Sequence, residues 1–206
     1  MSVETRPAIA FLSLERDPAT CENLLSVATA LAQRGWTVDL FARRGGDGEP
    51  ATTRIAPHCR IVRLSVGGDD ASAFAQAIES FQIKSGLLSP LFHSFDDLSA
   101  RVGYYFQQKK GWRWVHSGRT PEPLLPSADQ VILLRSPATP PETVPTDEVN
   151  QMRHQRHWDA IASRLGGFYR QHLAIYVGAI GLEIPRTCHL PPLSGAREMA
   201  GDRIAG

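Results

Sequence analysis

The sequence predicts an α/β domain, a parallel sheet with helices packed on its faces. Three observations predict it. Short apolar runs alternate with stretches of roughly ten to fifteen residues at helical spacing. The first of these runs is continuously apolar, as in a strand buried on both faces. The links between runs are long enough for the right-handed crossovers that join parallel strands.

Taken in order, "AIAFLSL" (Ala8 to Leu14) is a strand bounded by Pro7 and "ERDP". "TCENLLSVATALAQRG" places Leu24, Leu25, Val27, Ala28, Leu31 and Ala32 on one helical stripe, with Thr20 as N-cap and Gly35 as the stop. "WTVDLFAR" and "CRIVRLSV" are the second and third strands. "DASAFAQAIESFQIK" is an amphipathic helix, "SPLFHSF" a strand, "DLSARVGYYFQQKKG" a helix and "WRWVHS" a strand. From Gly118 to Asn150 the character changes: seven of the fifteen prolines fall there, which marks loop or linker, with "DQVILLRS" a candidate strand inside it. Helical spacing returns at "TDEVNQMRHQRHWDAIASRLGGFYRQHLAIYVG", broken or ended near Gly166 and Gly167. The expected division is a core over 1–117, a proline-rich segment over 118–150, a helical completion over 151–188 and a tail over 189–206.

Composition narrows the function. The chain of 206 residues is 42% apolar and 21% charged, ordinary for a soluble globular protein. A net charge of +1 gives no electrostatic footprint for nucleic acid. Cys21, Cys59 and Cys188 are scattered, which argues against a disulfide framework and against structural zinc, and fits a reducing compartment. The N-terminal apolar run is too short for a signal peptide, and "LAIYVGAIGL" is about half the length of a membrane span, so the expected setting is the cytoplasm.

The motifs are sparse. "RRGGDGEP" has no Lys-Ser/Thr after its glycines and follows the second strand, so it reads as a solvent turn rather than a phosphate loop. After the first strand, where a glycine-rich phosphate loop belongs, stands "ERDPATCEN", which has no glycine. A dinucleotide cofactor is therefore not expected. "FHSFDDLS" sets His93 at the carboxyl end of a strand, where open sheets bind ligands. Asp96 and Asp97 follow at a helix start. Two readings stand side by side: N-capping with His93 packed against it, or a ligand-facing cluster. His116 ends the next strand and is expected to face the same crevice. His154 and His157 form an i, i+3 pair without a third ligand, so a solvated basic face is preferred to a metal site.

The order of "ALAQRGWTVDLFARR", "PHCRIVRLSVGG" and "SPLFHSFDDLSARVGYYFQQKKGWRWVHS" resembles the N-terminal domain of family-4 glycosyltransferases, in particular the cyanobacterial sucrose-phosphate synthase and sucrose synthase type. The resemblance implies a Rossmann-like domain, one half of a GT-B fold, whose cleft binds the sugar acceptor. It makes His93, Asp96, Asp97, Ser99 and His116 the acceptor-side candidates, and His93 and His116 the candidate catalytic groups. The departures are equally specific. The family's G-G-Q-x-x-Y-V stretch is shortened to "ERDPATCENLLSV". Its H-T-N-Y-W-L-S-G appears as "HSFDDLSA", keeping His93, Leu98 and Ser99. Its H-T-Y-H-S-L-G appears as "HSGRTPE": ungapped, Arg119 replaces the reaction-centre histidine, whereas with a deletion His116 and Ser117 represent the H-S-L-G part. Nothing after Gly118 resembles the donor domain with its E-x7-E pair.

Two functions follow as expectations. One is a glycosyltransferase-like domain without catalytic activity of its own, which binds a protein partner within a larger complex, with "GWRWVHS" and the tail as contacts. The other is the acceptor half of a split enzyme whose partner subunit supplies the donor domain.

Overall fold

A computed structural model of the chain describes residues 6–15, 18, 21–117, 130–131 and 148–180. Its centre is a seven-stranded sheet: β1 (Ala8–Ser13), β2 (Thr37–Arg43), β3 (Thr52–Ala56), β4 (Cys59–Leu64), β5 (Leu91–Ser94), β6 (Arg113–His116) and β7 (Gln130–Val131), in the order β3-β4-β2-β1-β5-β6-β7. Every pairing is parallel except β3 with β4. The helices are α1 (Glu22–Gln33), α2 (Ala71–Ser85), α3 (Asp97–Lys110) and α4 (Glu148–Ile180).

β1 is buried at all six positions because both its faces are covered. Ile9, Phe11, Val38, Leu40, Leu91 and Val115 join the core beneath α1 and α4. Ala10, Leu12, Phe41, Phe92 and Trp114 join the core beneath α2 and α3. This alternation fixes which way each site residue points. Asp39, a buried carboxylate in mid-strand, is held by its cross-strand neighbour Arg60 through two bonds of 2.7 and 3.0 Å.

Two expectations need correction, and one strand is added. Helix α1 has Cys21 at its N-cap, with no side-chain cap, while Thr20 lies outside the described residues. α4 runs unbroken through Gly166 and Gly167. Gly166 is there for space: a Cβ would stand 3.2 Å from the Trp36 indole Nε1, so the glycine lets α4 close on the sheet. The hairpin strand β3 was not anticipated. Its edge position leaves it mostly exposed, so it lacks the apolar run that marks the other strands.

The "RRGGDGEP" segment is a turn turned in on itself. Arg44 Nη2 donates to the carbonyls of Asp47 and Glu49 at 2.9 and 2.7 Å, Arg44 Nε donates to the Glu49 carbonyl at 3.0 Å, and the Gly45 amide donates to the Glu49 carboxylate at 2.8 Å. "DQVILLRS" is described only at β7, and the rest of 118–147 and the tail lie outside the described residues.

Candidate functional site

β1 and β5 are neighbours, but α1 after β1 packs on one face and α3 after β5 on the other. The crossovers therefore diverge between these two strands, which is where a doubly wound sheet opens a ligand crevice. All five candidate residues lie on or beside the β5 and β6 ends of that crevice.

Asp96 and Ser99 are consumed in forming it. Asp96 is the N-cap of α3 in a reciprocal capping box with Ser99. One Asp96 oxygen accepts from the Ser99 amide at 2.8 Å, and the other from the amides of Leu14 and Glu15 at 2.8 and 3.2 Å. The Glu15 carboxylate in turn accepts from the Leu98 amide at 2.9 Å, inside the first turn of α3. The end of β1 and the start of α3 are thus stapled by two carboxylates. The positive end of the helix is already facing negative charge from the chain itself. Asp97 is exposed.

The two histidines do not share a face. In the β5–β6 register His93 lies opposite Val115, and Ser94 opposite His116. His93 points toward α4, where Nδ1 bonds the Tyr169 hydroxyl and Nε2 meets Ser117 Oγ at 2.6 Å. Phe11 lies edge-on to its ring and Phe95 stacks on it at 4.2 Å. Burial, with His116 a lesser cause, pulls its pKa from 6.5 down to about 3, so it is neutral. A neutral imidazole has one donor and one acceptor nitrogen, and two hydroxyls can match both. His93 is a satisfied core histidine with no exposed surface.

His116 points toward the α3 side. Its Nδ1 lies 2.8 Å from Ser94 Oγ, which also accepts from the Trp114 indole at 2.8 Å. Burial lowers its pKa, while the nearby Asp96 and Asp97 carboxylates pull the other way. The expectation of a common crevice for both imidazoles therefore fails on strand alternation. The tryptophans of "GWRWVHS" are also inward. Trp114 is fully buried, and Trp112 stacks with Phe92 and Phe106 at 5.4 and 5.1 Å. Trp158 belongs to the core under α4.

Sequence reasoning missed three participants: Glu15, Ser94 and Tyr169. Ser117, read only as part of an H-S-L-G match, bonds His93 instead. Tyr169 lies 76 positions from His93, and only the packing of α4 brings it there. Cys59 is inert, its thiol pushed up to about 12 by burial and by Asp39. His157 is exposed on α4. Among the described residues, no group of three or more His, Cys, Asp or Glu is placed to hold a metal ion, and no helix is long and apolar enough to cross a membrane.

A parallel sheet with diverging crossovers and a closing helix α4 defines a Rossmann-like half of a GT-B fold. Comparison with known proteins agrees. The chain is similar to D-inositol 3-phosphate glycosyltransferase of Corynebacterium efficiens, 28% identical over 109 residues, covering 47% of this chain and 25% of that relative. It is similar in structure and sequence to sucrose-phosphate synthase of Thermosynechococcus elongatus, with TM-score 0.51 and 28% identity over 56% of this chain and 33% of that one. A second solved chain of that synthase matches with TM-score 0.56 and 23% identity, covering 80% of this chain and 98% of its own length, which speaks for the fold. No family model matches the chain. The protein thus carries a GT-B glycosyltransferase-like domain, and its sequence spans a quarter to a third of these full-length relatives.

Proposed function

We propose that this domain is a binding subunit that keeps the acceptor-side glycosyltransferase scaffold without transferring sugar on its own. One observation carries the reading: Asp96 draws the amides of Leu14 and Glu15 onto itself. By the family resemblance, the loop after β1 is where a glycine-rich backbone approaches the sugar substrates. Here the two amides that open that loop are satisfied within the chain, and Glu15 fills the first turn of α3. A ligand oxygen competing for those donors must first displace a charge-assisted bond. The fitting role is attachment to a protein partner in a larger assembly in the cytoplasm. The experiment is a transfer assay with the purified chain and a panel of nucleotide-sugars, read by mass spectrometry of the products. No glycoside is expected, and a glycoside formed above the protein-free rate overturns the proposal.

A second reading is favoured by one observation, the placing of His116 within electrostatic reach of the exposed Asp97. In that reading the domain is the acceptor half of a split nucleotide-sugar-dependent enzyme, with both groups facing the acceptor. Mixing the chain with a donor-domain subunit that carries an E-x7-E pair would then restore transfer, and His116→Ala would lower it.

A further inference from the structure

We infer that Trp114 and Ser94 lock His116 in the neutral tautomer that carries its proton on Nε2, so that His116 can offer a ligand a hydrogen-bond donor but not a base. The assignment rests on local geometry and holds under either reading of function. An indole N–H can only donate, so at 2.8 Å it fills one lone pair of Ser94 Oγ. The Ser94 hydroxyl has a single proton to place. Its two acceptors are His116 Nδ1 at 2.8 Å and the Val115 carbonyl at 3.5 Å. The longer contact is at the limit of a hydrogen bond, so the proton goes to Nδ1. Nδ1 is then an acceptor, and in the neutral ring the remaining proton sits on Nε2. Burial keeps the ring neutral by lowering its pKa.

The indole cannot swing away to release Ser94. It lies against Gly103 of α3, where a Cβ would come within 2.3 Å of Trp114 Cδ1 and Nε1. Gly103, Trp114, Ser94 and His116 therefore form one positioning chain from α3 to the end of β6. The His116 ring is buried, 1% exposed, and its Nε2 meets no hydrogen-bond partner among the described residues. What it can recognise is a lone pair, a carbonyl or hydroxyl oxygen of a neutral polar ligand. The Asp96 and Asp97 carboxylates nearby disfavour a phosphate. If the domain is half of a split enzyme, the base that takes the acceptor proton has to be another group.

The test is long-range proton–nitrogen NMR on the uniformly 15N-labelled full chain above neutral pH, with His116→Gln identifying the resonances. A protonated, pyrrole-like Nε2 and a pyridine-like Nδ1 are expected. Protonation at Nδ1, or two averaged nitrogens, overturns the assignment. In Ser94→Ala the hydroxyl proton that makes Nδ1 an acceptor is gone, and the two nitrogens are expected to shift toward averaged values. Should that variant not fold, Ser94→Cys, whose thiol is a weaker donor, provides the same readout. An unchanged pattern in the folded variant excludes the lock.

Discussion

His93 and His116 stand at the carboxyl ends of adjacent strands, and the sheet treats them in opposite ways. His93 turns under α4 and has both nitrogens bound. His116 turns toward α3 and has one nitrogen bound, with the other turned away from Ser94. Both are buried and carry pKa values depressed by burial, yet only His116 has a ring nitrogen without a bond among the described residues. Burial and a shifted pKa alone do not tell the two apart; the count of bonded ring nitrogens does.

The largest expected effect separates the two directly. His93→Ala leaves a cavity and strips partners from both Tyr169 and Ser117, which should cost about 3–5 kcal/mol. His116→Ala also vacates a buried position but strips only one partner, the Ser94 hydroxyl, and should cost less, about 2–3 kcal/mol. Urea denaturation of both variants checks this, and equal losses would break the contrast. Next comes Gly103→Ala, which tests the His116 side through its support. The new methyl has no room beside a fully buried Trp114, so a loss of about 1–3 kcal/mol is expected. The same variant should shift the His116 ring resonances and leave those of His93 unmoved. On the other side, Tyr169→Phe removes a hydroxyl from His93 and leaves Nδ1 buried without a partner, a cost of about 1–2 kcal/mol in the same titration.

How much of this the sequence made legible follows the range of the interactions involved. The parallel strands β1, β2, β4, β5 and β6 are apolar runs or close to it, and α2 and α3 end on Gly86 and Gly111 in the left-handed conformation that glycine favours. These are local signals. The capping role of Asp96 was equally local, since Ser99 lies three residues on. The bond from Asp96 back to the end of β1 spans 82 positions, and nothing around Leu14 announces it. The opposite orientation of the two histidines follows from where β5 and β6 pair, since His93 falls opposite Val115 and not opposite His116. That register is a tertiary fact. β3 escaped because an edge strand needs no apolar face, and its turn into β4 uses His58 at positive φ where glycine would have been a clear sign.

Acid sharpens the comparison last and most gently. The folded-state pKa of His93 is about 3, against 6.5 for an unburied imidazole. Below pH 6.5 the unfolded chain takes up a proton on this ring and the folded chain does not. Stability from this group is therefore complete above pH 6.5 and falls as the pH drops toward 3. The slope cannot exceed about 1.4 kcal/mol for each pH unit from one such group. His93→Gln removes the titration while keeping a polar side chain of similar reach for Tyr169 and Ser117. Its stability should accordingly fall less steeply than that of the parent between pH 6.5 and 4. His116→Gln should flatten the curve less, because the neighbouring Asp96 and Asp97 carboxylates offset part of the lowering that burial imposes there. Urea midpoints taken across that interval for the parent and both variants separate the cases, and identical slopes in all three would mean that the buried ring on β5 takes up its proton without unfolding the domain.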